Sequence, residues 1–324
     1  MLTRRLPGTD LDVSVLGFGC WAVGGLWWGD DVRDGDSIEA IRAALAGGVT
    51  LFDTAPLYGH GHADAILARA LGPDRQRVVL ATKVGVEFGG DAATGTDHAR
   101  SNLAPDRLRA DVEASLRRLR TDVIDLLQVH WPCELGTPLA ETMQALGELR
   151  TEGKVRHIGL CNYDAAGLTE ALEHGPVAAL QTPLSVLRRD AERTLLPACR
   201  AQGVGVIAYE ALCRGLITGR FGSIRPGFPD SDLRARDGRF SGSGYVRAAA
   251  YVADFAAAAR RLDVPPSALA LAWVAHRPGV TATLFGAKRA AQVEQNLAAQ
   301  RVLRGASARA WTLIDAIADR WTGF

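Results

Sequence analysis

Eight short apolar runs recur along this chain, and amphipathic segments fill most of the gaps between them. The runs are VLGFGC (15–20), TLFDT (50–54), VVLATKV (78–84), VIDLLQVH (123–130), RHIGLCN (156–162), AALQTPL (178–184), VGVIAY (204–209) and TATLFGA (281–287). They are nearly continuous hydrophobics, the pattern of strands covered on both faces in a parallel sheet. Leu108, Val112, Leu116 and Leu119 share one helical face over 105–120. Asp36 with Glu39 reads as an N-cap and its partner, ahead of Ile38, Ile41 and Leu45. Thr137-Pro138 reads as an N-cap followed by Pro at the first helical position. Two helical pieces, 245–261 and 267–276, precede the eighth run, and 307–321 follows it as a C-terminal helix. Strands alternating with helices in this number predict a closed (β/α)8 barrel, one domain over 1–324, with a doubly wound open sheet as the alternative. Two stretches break the rhythm. Residues 86–103 read as a polar loop, and 219–243 as a long charged segment, of the kind that forms lids or stays disordered.

A net charge of +1 gives no case for a nucleic-acid partner, and no apolar run is long enough to span a bilayer. The opening MLTRRLPGTDLDV has no apolar core of the secretory kind, and five cysteines without a C-x-x-C suggest free thiols. Together these predict a cytoplasmic protein. Only three of the 37 basic residues are lysines, Lys83, Lys154 and Lys288. Lysine is the cation whose pKa can be tuned, so each of these invites a reason.

Barrel chemistry gathers where strands end. Read in order, those ends present Cys20-Trp21, Asp53 followed by Tyr58, Lys83, His130-Trp131, Cys161-Asn162, Gln181, Tyr209 and Gly286 to Lys288. A lysine buried there needs a counter-charge, which Asp53 could supply. A cation ~4 Å from the Tyr58 phenol is worth roughly 4 kcal/mol at an effective dielectric of about 20. That is enough to bring a phenol from its ordinary value of about 10 toward neutrality. Tyr58 would then donate a proton, with His130 orienting a carbonyl oxygen. GFGCWAVGG has glycines but no helix directly behind it, so the Rossmann reading fails.

The motifs FDTAPLYG, LATKVG, DLLQVHWP, GKVRHIGLCNY and GVGVIAYEALCRGLITGRF resemble those of the aldo-keto reductases over nearly the whole chain. RGLITGRF is most similar to the bacterial enzymes and the potassium-channel β-subunit branch. The resemblance implies a barrel with an N-terminal β-hairpin and an extra helix before the last strand. It implies NADP(H) as cofactor and a catalytic tetrad of Asp53, Tyr58, Lys83 and His130. Gly19, Cys20, Trp21 and Asp53 would border the cofactor. Cys161, Asn162 and Gln181 would hold its carboxamide, with Tyr209 stacked on the ring. Glu210, Leu212, Arg214 and Gly215 would lie along the pyrophosphate. Gly286, Lys288, Arg289, Gln292, Gln295 and Asn296 would close on the adenosine end, with Lys288 and Arg289 suited to a 2′-phosphate. Trp21, Trp27, Trp28, Tyr58, His130 and Trp131 would wall the substrate, a small carbonyl compound or alcohol, sugar-like ones among them. The sequence departs from the family at Cys161 (Ser is usual), Leu184 (an aromatic), Glu210 (Ser) and Gln295 (Glu). Glu210 matters most, because a carboxylate beside a pyrophosphate repels it unless it points away.

Two other functions fit parts of the pattern. One is a cofactor-binding regulatory module of the same fold with slow turnover. The other is a barrel metallohydrolase using His60 and His62, which lacks further ligands at later strand ends. No metal is expected, and the two histidines read as loop residues near the substrate. His157, at the start of its strand, reads as structural. Cys161, placed under the cofactor, is expected to react with small thiol reagents unless NADP⁺ covers it.

Overall fold

The computed structural model describes residues 1–89 and 98–320. Eight parallel strands close into one barrel in chain order. They are β1 (Leu16–Gly19), β2 (Leu51–Asp53), β3 (Val79–Val84), β4 (Ile124–Val129), β5 (Val155–Cys161), β6 (Ala179–Pro183), β7 (Gly205–Tyr209) and β8 (Val280–Phe285). Closure comes from β8 pairing with β1, Thr283 opposite Leu16 and Phe285 opposite Phe18. The open-sheet alternative is thereby excluded. Every residue of β3, β4 and β8 is buried, which is why those runs read as continuous hydrophobics.

The apolar interior has two layers. Inside the barrel, Leu51, Val79, Ala81, Leu126, Ala179, Ile207, Ala282 and Leu284 fill the lower bore. Thr3–Arg5 pairs antiparallel with Asp12–Ser14. This hairpin plugs the bore from below with Leu6, Leu11 and Val13. Outside, the helices bury their apolar faces on the strands. With its lower mouth plugged, the barrel presents a cavity at the other end, where the strands finish.

Several expectations need correction. Asp36 is not a cap: the helix Asp34–Ala46 starts earlier, and Asp36 sits in its first turn, where a carboxylate suits the helix dipole. Thr137 is not one either, because the helix Leu139–Thr151 has Pro138 at its N-cap. Residues 86–103 are not simply a loop. Val86–Gly89 pairs antiparallel with His98–Ser101, and 90–97 lie outside the described residues. The segment 219–243 takes a defined course, with short 3-10 turns at Leu233–Arg236 and Gly238–Phe240 leading into the helix Gly242–Arg261. Helices Pro266–His276 and Ala308–Ala318 match the expected extra and C-terminal helices, and residue 321 lies outside the described residues.

Candidate active site

Asp53 is the last residue of β2, and Lys83 lies in β3 one strand along. Lys83 is completely buried, and its ammonium donates to Asp53 Oδ1 at 2.5 Å, to the Thr54 carbonyl at 3.1 Å and to Tyr58 Oη at 3.2 Å. Desolvation works against the charged lysine, but the Asp53 carboxylate overrides it and holds the ammonium protonated. His130, just past β4, stands edge-on to the Tyr58 ring at 6.1 Å between centroids. Burial, then the Lys83 charge, pushes its pKa well below the ordinary imidazole value, so it is neutral across the working range.

The structure corrects the expected state of Tyr58. Lys83 does lower the phenol's pKa, but burial raises it more, and the net shift is upward. A sequence shows which charge lies near a phenol but not how much water it loses. The phenol therefore stays protonated.

A second layer surrounds this group. The other oxygen of Asp53 accepts from Gln181 Nε2 at 2.8 Å and from Gln128 Nε2 at 3.1 Å. Cys161 directs its thiol to Gln181 Oε1 at 3.7 Å, and burial pushes that thiol's pKa up to about 12. Asn162, in the left-handed region with φ 63°, accepts from Tyr209 Oη at 2.8 Å and donates to the His130 carbonyl at 3.0 Å. These atoms close one continuous lattice across β2, β4, β5, β6 and β7.

The cavity above holds about 560 Å³. It is lined by Asp53, Tyr58, His130, Cys161, Asn162, Gln181 and Tyr209, and walled by Trp21, Trp27, Trp28 and Trp131. Trp21 stacks over Tyr58, and Trp131 lies flat on His130 with centroids 3.8 Å apart. From there the cavity runs along Glu210, Leu212, Arg214 and Gly215 to Gly286, Lys288, Gln292, Gln295 and Asn296, with Gly19 beneath. Two expected contacts lie elsewhere: Cys20 is sealed in the core, and Arg289 faces outward beside Asp36 at 3.7 Å. Lys83 lies where expected, beside Asp53 and below Tyr58. Arg220, Arg234 and Ser267 line the cavity although sequence reasoning did not single them out. The first two sit in the arginine-rich segment, and that charge was the available signal.

The anomalous Glu210 does not confront the cavity as a bare anion. Its carboxylate accepts from Arg239 at 2.7 Å and lies 3.0 Å from Arg214 Nε and 3.7 Å from Arg188. Lys288 is also engaged, donating to the Trp28 carbonyl at 2.7 Å and to Asp31 at 2.5 Å. His62 opens the helix His62–Leu71 and binds Asp34 at 2.8 Å, while His60 stacks on Phe88. The two histidines thus diverge. His157 binds Asp10 beside the plugging hairpin, at the far end of the barrel.

The fit to a nicotinamide group rests on the donor set. A carboxylate only accepts, so the Gln181 atom beside Asp53 is its nitrogen, and Oε1 faces away as an acceptor for an amide N–H. The Tyr209 ring in the cavity wall offers a flat apolar surface beside it.

The family model for the aldo/keto reductase family matches residues 15–319. The chain is 35% identical to aldo-keto reductase YhdN of Bacillus subtilis (strain 168) over 292 residues, covering 89% of this chain and 86% of that protein. It is 34% identical over 309 residues to the NADH-specific methylglyoxal reductase of Escherichia coli (strain K12), covering 92% and 94%. Among solved structures it is similar to the glycerol dehydrogenase AKR11B4 from Gluconobacter oxydans, with a TM-score of 0.87, 34% identity, and coverage of 99% and 96%. No helix among the described residues is long and apolar enough to cross a membrane.

Proposed function

The chain belongs to the aldo/keto reductase family, oxidoreductases that use a nicotinamide cofactor, and on that premise we propose that it is an NADP(H)-dependent enzyme interconverting an aldehyde or ketone and its alcohol, with Tyr58 passing the proton. The observation that carries this reading is the Lys83 ammonium 3.2 Å from Tyr58 Oη and 2.5 Å from Asp53. The nicotinamide supplies or accepts hydride when bound. The chain's own residues do the rest. Tyr58 gives its phenolic proton to a carbonyl oxygen above it, and Lys83 stabilises the tyrosinate that forms. Asp53 keeps Lys83 charged and in place. Neutral His130 offers a ring nitrogen to the same oxygen, and Asn162, Gln181 and Tyr209 fix the nicotinamide over the site. Trp21, Trp27, Trp28 and Trp131 exclude water and wall a small substrate. The indole N–H groups of Trp21 and Trp28 are buried without a hydrogen-bond partner. An unpaired buried donor is costly, so both favour a substrate bearing hydroxyl oxygens. One domain over 1–324 and a cytoplasmic setting fit the single closed barrel and the five free cysteines.

NADP(H) is favoured by Lys288, a cation bordering the cavity with an exposed partner that a phosphate could replace. A second reading, NADH, is favoured by that same partner, because Asp31 already neutralises the ammonium. A panel of carbonyls and polyols assayed with NADPH and with NADH tests the function. We expect turnover of a small hydroxylated carbonyl at an ordinary rate with NADPH. Binding without turnover would instead favour a regulatory module. Lys288→Ala should weaken NADPH tenfold or more and NADH little, and Asp31→Asn should tighten NADPH; equal effects on both nucleotides would remove Lys288 from the 2′-phosphate.

A further inference from the structure

We propose that Gln128 is a positioning residue that ties the Asp53–Lys83 pair to Gln181, so that the proton donor and the seat of the nicotinamide carboxamide are held as one unit. The proposal rests on the oxidoreductase reading above. Gln128 is completely buried one residue before the end of β4 and opposite Lys83 in the β3–β4 register. A glutamine there is out of place in an apolar strand unless its amide is used, since a buried unpaired amide costs free energy. Both ends are used. Its nitrogen donates to Asp53 Oδ2 at 3.1 Å, and its oxygen accepts from Gln181 Nε2 at 3.2 Å. The barrel makes room for it. Its neighbour in the β4–β5 register is Gly159, where a Cβ would stand 3.1 Å from Gln128 Cγ and 2.9 Å from the Ala179 carbonyl. A side chain at that position would crowd Gln128 and press on the β6 backbone.

The electrostatic consequence has a definite sign. Tyr58 is faced by Lys83 from β3, Asp53 from β2, Cys161 from β5 and His130 beyond β4. Each N–H given to Asp53 draws off part of its negative charge. With one removed, more of that charge bears on Lys83 and on the phenol, and tyrosinate becomes harder to form. The amide therefore eases proton transfer without touching substrate or cofactor.

Gln128→Met keeps length and volume but removes both polar atoms. Fold is checked by circular dichroism and thermal unfolding, NADP⁺ affinity by tryptophan fluorescence, and alcohol oxidation by its pH profile. In oxidation the rate rises with pH as Tyr58 loses its proton. The variant should fold, bind NADP⁺ several-fold more weakly, and show that rise moved upward by about one pH unit. This corresponds to about a tenfold smaller tyrosinate fraction at fixed pH below it. If Gln128→Met does not fold, Gln128→Asn, whose amide stops a methylene short, should move the rise in the same direction. A fall in rate with the rise unmoved, or no change at all, overturns the proposal. A wild-type protein inert toward every carbonyl and alcohol with both nucleotides fails the underlying reading and takes the proposal with it; an active wild type with an unmoved profile fails the proposal alone.

Discussion

At Tyr58 and Cys161 the same force decides reactivity: burial opposes charge. For the phenol that suits the proposed role, since a proton donor must hold its proton until a partner oxygen arrives. For the thiol it is disabling. With its pKa pushed up to about 12, Cys161 has almost no thiolate near neutrality, so the expectation of ready modification by thiol reagents does not stand. Cys133 is the contrasting case. It is partly exposed, and although burial pushes its pKa up, the Thr137 hydroxyl and the backbone around Leu103, Leu135 and Thr137 more than offset that and lower it. Brief iodoacetamide treatment followed by peptide mass spectrometry should therefore label Cys133 first and leave Cys161 largely intact, with or without NADP⁺. Labelling of Cys161 as fast as Cys133 would mean that the site is wetter than the structure has it.

Among the elements, the segment between Gly219, which caps the 3-10 helix Cys213–Thr218, and the helix Gly242–Arg261 has the most to explain. Arg239 anchors it, bridging Asp237 within the segment and Glu210 at the end of β7. Removing Arg239 leaves two largely buried carboxylates, Glu210 and Asp237, with Arg214 as their close shared cation and Arg188 farther off, an excess of negative charge that removing Glu210 as well would relieve. Arg239→Ala should therefore weaken cofactor binding several-fold and expose 220–240 to limited proteolysis. Arg239→Ala combined with Glu210→Ser should recover much of both, and a double variant no better than the single one would deny the coupling. This pairing was not legible in the sequence. Glu210 stood out as an anomaly, but its partner lies 29 residues away in a stretch with no periodicity to place it. The short sheet made by Val86–Gly89 and His98–Ser101 was missed for the same reason, having no clear alternation of apolar and polar residues.

On the scale of the whole molecule, far more was legible. Each barrel strand is covered on both faces, so its apolar run appears in the sequence whole, and all eight runs became strands in order. Asp53, Lys83 and His130 were legible because each interrupts apolar sequence at or near a strand end, and Tyr58 because it follows Asp53 closely in the loop beyond. Gln128 was not, because nothing in DLLQVH distinguishes an amide crossing the bore from a tolerated polar residue. The closed barrel turns those scattered signals into one site by bringing residues more than a hundred positions apart, such as Asp53 and Gln181, to 2.8 Å. The claim at the centre is that the proton passes through Tyr58 under the influence of Lys83. It is tested most directly by loading wild type and Tyr58→Phe with NADPH, mixing each rapidly with a reactive aldehyde, and following nicotinamide absorbance through a single turnover. Tyr58→Phe should bind NADPH within about twofold of wild type and transfer hydride at least a hundredfold more slowly, the range removed with a general acid. A variant that oxidises its NADPH at close to the wild-type rate would contradict the claim.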